Sequence, residues 1–159
     1  MSGIAEQPGA LVAKQAITEL VHRYGQLVRQ DCPELTADLY TPDGVFEVRR
    51  GAPDRAAYTL QSRVERREAI RAMRFPGKGK PHPVPMIHNL MIAVDGDTAQ
   101  ASCVMVARMS EGEGGFWGEY RDSFARVDGC WSFSTTILSQ SLPGWPNWQR
   151  RSALIQTRE

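Results

Sequence analysis

Hydrophobic and polar positions divide the chain into a helical first half and a strand-rich second half. Ile17, Leu20, Val21, Tyr24, Leu27 and Val28 recur at three- and four-residue steps, the spacing of one face of an α-helix. They predict a helix over residues 10–30, after a loose arm over residues 1–9. Asp31-Cys32-Pro33 restarts a second helix, with Pro33 in the first turn, where its missing N–H costs nothing. Leu35 and Leu39 are its expected apolar face. Thr41-Pro42-Asp43-Gly44 has the composition of a turn and leads into a short strand over residues 45–48. Residues 49–62 follow no period and read as irregular. A third helix is expected over residues 64–75, stopped by Pro76-Gly77, with a loop over residues 77–85.

The second half carries the clearest signal. Val94-Asp95-Gly96-Asp97-Thr98 and Val127-Asp128-Gly129-Cys130-Trp131 each place Asp-Gly between apolar runs. Asp-Gly tolerates the left-handed backbone of tight hairpins. Four antiparallel strands follow, over residues 85–95, 98–109, 116–127 and 130–139. Helices segregated from an antiparallel sheet define an α+β fold. Residues 141–159 contain Pro143, Pro146, Trp145 and Trp148. That segment is too apolar for a free tail and is expected to pack on the domain or on a partner subunit.

Length and charge narrow the classes. The chain has 159 residues, enough for one domain, and a net charge of +1. No global field argues for nucleic acid or a membrane, and no apolar run approaches the length of a membrane span. The N-terminus lacks the basic start and apolar core of a signal peptide. Cys32, Cys103 and Cys130 show neither disulfide nor zinc spacing, which favours a reducing cytoplasm. No metal or cofactor motif occurs, so none is expected. Residues 63–80 are rich in Arg and Lys, which we read as a solvated helix face.

Several segments in this order carry a resemblance. They are Ile17 to Tyr24, Leu35 to Phe46, Arg67-Glu68-Ala69-Ile70, His88-Asn89, Val94 to Ala99, Gly118-Glu119-Tyr120 and Arg126 to Trp131. Together they resemble the SnoaL-like group of the nuclear transport factor 2-like superfamily over residues 12–139. The resemblance implies a curved antiparallel sheet wrapped around N-terminal helices. The resulting cone, of the cystatin-like type, binds a small, mostly apolar or cyclic molecule. Members include dehydratases, isomerases, cyclases, dioxygenase small subunits and non-enzymatic binding domains, so fold alone does not fix chemistry.

The resemblance implies a cofactor-independent lyase or isomerase, or else a non-catalytic ligand-binding or accessory subunit. Scytalone dehydratase and a bile-acid dehydratase carry a histidine on the strand matching residues 85–95. His88 is the expected heir of that role and His82 the second choice. A cavity-facing histidine acts as general acid and base near neutral pH. The aspartate that such relatives carry at the end of the first helix is absent, since Val28 or Arg29 stands there, and Asp31 matches a capping aspartate. Asp122 is a substitute acid, expected to face the cavity or pair with Arg108; Asp43 is a weaker one. Tyr24, on the first helix, is expected to polarise a substrate oxygen. The expected lining is Tyr40, Phe46, Val28, Met91, Trp117 and Tyr120. By alternation, Ala99, Ala101, Cys103, Met105 and Ala107 form an apolar outer sheet face, which suits a homodimer.

Overall fold

A computed structural model describes residues 8–50, 59–72, 81–112 and 114–141. The expected tail over residues 141–159 and arm over residues 1–9 lie outside these residues, save Ser141 at the end of a strand and Pro8-Gly9, which begin the first helix. The element order is α1 (Pro8–Arg29), α2 (Pro33–Ala37), β1 (Tyr40–Arg50), β2 (Thr59–Glu65), α3 (Arg67–Ala72), β3 (Pro83–Asp95), β4 (Thr98–Met109), β5 (Gly115–Val127) and β6 (Cys130–Ser141). The six strands form one curved sheet in the order β2-β1-β6-β5-β4-β3. Every neighbouring pair is antiparallel except β1 and β6, which run parallel.

The Asp-Gly turns do what their chemistry requires. Gly96, Asp128 and Gly129 all take positive φ, and each turn joins two long strands. α1 turns Ala13, Ile17, Val21, Tyr24 and Leu27 into the core, as its period demands. Gly25 on this helix brings α1 close to β3: a Cβ there would meet Ile87 Cδ1 at 3.3 Å. The core closes around Tyr40, Phe124, Phe133, Ile17 and Met105.

Four expectations are corrected. The stretch over residues 49–62 is not wholly irregular: β2 occupies residues 59–65 and pairs with β1. The described third helix spans only Arg67–Ala72, Val64 belongs to β2, and residues 73–80 lie outside the described residues. Thr41 to Gly44 belongs to β1, although the pairing with β6 breaks between Tyr40 and Val45. Leu35 is exposed on α2, and Ala37 is the residue that helix buries.

The proposed outer face of β4 is likewise reversed. Ala99, Ala101, Cys103, Met105 and Ala107 are buried and belong to the core cluster. Their partners across β5 include Phe124, Asp122 and Tyr120, also buried. The outward set on β4 is Thr98, Gln100, Ser102, Val104, Val106 and Arg108, none of them buried.

Candidate active site

Between α1, α2 and the inner sheet face lies a cavity of about 100 Å³. Its deep wall is Tyr24, Tyr40, Phe46, Met105, Tyr120 and Leu138, all buried. Its outer end is Asp31, Cys32, Pro33, His82 and Pro83, each partly exposed. The lining is mostly apolar with a few convergent polar groups, the usual character of a small-molecule site.

The polar groups converge at the deep end. Tyr24 comes from α1, Tyr40 from the start of β1 and Tyr120 from β5. The rings of Tyr24 and Tyr120 meet edge to face at 5.9 Å, and Tyr40 stacks on Phe133 at 5.2 Å. Arg67, on α3, donates from Nε to the Tyr40 carbonyl oxygen at 2.7 Å, which fixes the start of β1. Burial, above all, pushes the hydroxyls of Tyr24, Tyr40 and Tyr120 well above the ordinary tyrosine range. They are therefore protonated donors at neutral pH.

Behind these hydroxyls sits Asp122. It lies on the inner face of β5, two residues from Tyr120, paired across the sheet with Ala101 and Thr136. Only 5% of it is exposed, and its Oδ1 has no hydrogen-bond partner among the described residues. Burial raises its carboxyl from 3.8 to about 7, while the Thr136 hydroxyl, by favouring the charged form, pulls the other way. Burial first, and Asp122 next, push the neighbouring Cys103 thiol up to about 12. A carboxyl that titrates near neutrality beside three neutral hydroxyls has the protonation range of a general acid or base.

At the outer end His82 is held from two sides. Its Nε2 lies 2.9 Å from the Arg29 carbonyl oxygen, and its Nδ1 lies 3.3 Å from Ser110 Oγ. A carbonyl only accepts, so Nε2 carries the proton and Nδ1 faces the serine hydroxyl. The histidine thus ties the C-terminus of α1 to the start of β3. Among the described residues, no cluster of His, Cys, Asp and Glu is arranged to hold a metal ion.

The sequence profile of the SnoaL-like domain matches residues 10–137. The chain belongs to the SnoaL-like domain family. No curated protein matches it at a significant level. Solved structures with a similar fold include three proteins of Novosphingobium aromaticivorans. One is assigned as the beta subunit of an aromatic-ring-hydroxylating dioxygenase, with 20% identity, a TM-score of 0.69, and coverage of 83% of this chain and 91% of that one. A second is assigned as a scytalone dehydratase, with 24% identity, a TM-score of 0.64, and coverage of 82% and 85%. A third is an NTF2-like protein with a cystatin-like fold, with 21% identity, a TM-score of 0.65, and coverage of 97% and 99%. At these identities the likeness is one of fold.

In this SnoaL-like chain the expected site residues separate into two groups. Tyr24, Val28, Tyr40, Phe46 and Tyr120 line the cavity, and Asp122 lies directly behind it. His88, Met91 and Trp117 do not. His88 is exposed and pairs with Val104 on the outer sheet face. Met91 is 70% exposed, and Trp117 is 37% exposed opposite Val106. The displacement of His88 has a physical cause. Leu90, Ile92 and Val94 face inward, so strict alternation would bring His88 inward too. The pairing with β4 slips between His88 and Met91, where Asn89 takes φ 54°, and inward parity passes to Ile87.

Asp43 is exposed, and Arg108 is exposed on the outer face, so neither meets Asp122. Asp31 is not the cap of α2: Cys32 holds that position without a side-chain cap, while Asp31, at φ 54°, lines the cavity. Thr136, beside Asp122, is a polar residue of the site that the sequence does not single out. Its place opposite Asp122 depends on register, and β5 and β6 shift register just beyond it, between Ser123 and Phe124.

Proposed function

We propose that this protein binds a ring-sized, mostly apolar molecule bearing an oxygen and acts on it as a cofactor-independent lyase or isomerase. The buried Asp122 carboxyl behind three neutral tyrosine hydroxyls carries the reading. Tyr24 and Tyr120 donate hydrogen bonds to the oxygen, strengthening as negative charge grows there in a site with little water. Asp122 takes a proton released from carbon and returns it, either to a second carbon or to a departing hydroxyl. His88 has no place in this scheme, and His82 shapes the outer end.

Exchange of carbon-bound hydrogen in deuterated water tests the reading. Cyclopentanone and cyclohexanone derivatives should exchange faster than in buffer, and Asp122→Asn should slow that exchange by about a hundredfold. Equal rates in both proteins would refute the assignment. The second reading is a non-catalytic ligand-binding or accessory subunit. What favours it is that both ring nitrogens of His82 are engaged and His88 faces outward. Binding of the same ketones without exchange would establish it.

For the assembly we propose a homodimer through the outer sheet face. Met86, Val106 and Trp117 lie side by side there across β3, β4 and β5, and Met86 and Trp117 are 42% and 37% exposed. Contiguous exposed apolar side chains mark a contact surface. Among the described residues no helix is long and apolar enough to cross a membrane. The three free cysteines suit the reducing cytoplasm, which is the location we propose.

A further inference from the structure

Asp122 is not among the side chains lining the cavity, yet a row of neighbouring buried side chains joins it to one that is. The Tyr40 hydroxyl donates to Thr136 Oγ1 at 2.8 Å. Thr136 stands directly opposite Asp122 in the β5–β6 pairing, both on the buried face, so its hydroxyl lies beside the carboxyl and favours its charged form. The three residues come from β1, β6 and β5, which are adjacent strands. Tyr40 and Thr136 are both 1% exposed or less, so water does not compete for the bonds. Asp122 Oδ1 is buried and has no hydrogen-bond partner among the described residues, so no other side chain there competes with Thr136 for the carboxyl.

A hydroxyl has one proton, so such a path has two ordered arrangements. With Asp122 ionised, Thr136 must donate to the carboxylate. Thr136 Oγ1 then accepts from Tyr40, and the Tyr40 oxygen keeps only lone pairs for the cavity. With Asp122 protonated on the oxygen facing Thr136, the carboxyl donates to Thr136. Thr136 then donates to Tyr40, whose own proton turns toward the cavity. We propose that Tyr40, Thr136 and Asp122 form a reversible relay by which the charge on Asp122 sets whether Tyr40 offers a bound molecule a hydrogen-bond donor or an acceptor. The same path lets Asp122 exchange a proton with the ligand without touching it: Tyr40 takes a proton from the ligand as it passes its own to Thr136, and Thr136 passes its own to the carboxylate. This inference rests on the cavity being the ligand site.

The groups that face Asp122 permit such control. Tyr24 approaches from α1, Cys103 from β4, Tyr120 from β5 and Tyr40 from β1, and each is held neutral by burial. Asp122 is the one among them that changes charge near pH 7. Thr136 is therefore a positioning residue, acting through Tyr40.

Two small probes of opposite polarity read the relay. Cyclohexanone only accepts hydrogen bonds, whereas pyrrole donates through N–H. Below the Asp122 midpoint cyclohexanone should bind about fivefold tighter than above it, and pyrrole should show the reverse, a change equal to one net hydrogen bond. Thr136→Val should flatten both dependences, and Thr136→Ser should retain them. Parallel dependences for the two probes, or slopes that survive in Thr136→Val, would overturn the relay. Failure of either protein to bind both probes would count against the cavity as ligand site. Carbon-13 NMR titration of the Asp122 carboxyl then decides the relay alone: its midpoint should rise in Thr136→Val and stay in Thr136→Ser, and an unmoved midpoint in Thr136→Val would refute it.

Discussion

A buried carboxylate without a counter-charge is costly, and the way out is to hold a proton. Asp122 does so up to about pH 7, against 3.8 for a solvated aspartate. Between these values the folded chain binds a proton that the unfolded chain has lost, so stability falls as pH rises. The contribution is fully present below about pH 4 and gone above about pH 7, a span of roughly 4 kcal/mol. Asp122→Asn should remove that slope, so denaturant unfolding of the variant should vary less with pH through this window. Identical pH dependence in both proteins would contradict the burial argument. At this scale the sequence was half legible. Tyr24 and Tyr120 sit where helix and strand periods place them, and Asp122 follows Tyr120 by one strand period. His88 was misplaced because its strand is apolar on both sides, and one left-handed residue, Asn89, reverses the parity.

Among the elements, the four strands with Asp-Gly turns were readable because a tight hairpin has few chemical solutions. β2 was not. Its residues include Gln61, Ser62, Arg63 and Glu65 at the sheet edge, where Arg63 donates to Glu47 at 2.8 Å and to Glu65 at 2.8 Å. An edge strand held by ion pairs shows no apolar alternation. Arg49 and Arg63 also hold the Glu47 carboxyl below the usual carboxylate range. The faces of β4 were inverted in the sequence reading because both are largely non-charged: small residues alternate with Val and Ser. Inside, Ala99, Ala101 and Ala107 keep the side chains short beneath the helices. Outside, the row from Met86 through Val106 to Trp117 is the surface through which we propose that a second copy docks. Trp117→Glu should therefore shift sedimentation from dimer to monomer while leaving the circular dichroism unchanged. A wild-type protein that sediments as a monomer would refute the dimer.

The whole molecule is a curved sheet whose concave side is closed by α1 and α2 over a small cavity, and the same architecture serves enzymes and binding domains alike. In this chain the group placed for chemistry at the cavity is not His88 on β3, which is exposed, but a carboxyl buried behind tyrosines. Its location was visible from strand alternation; its environment was not, because it depends on Thr136, Tyr24 and Cys103, brought together from β6, α1 and β4. On this reading Asp122 gains and loses a proton near neutral pH inside the folded protein. Carbon-13 NMR titration of its carboxyl in the intact chain measures this directly. A midpoint of about 7 is the expected result; a midpoint near that of a solvated aspartate, about 4, would contradict the account.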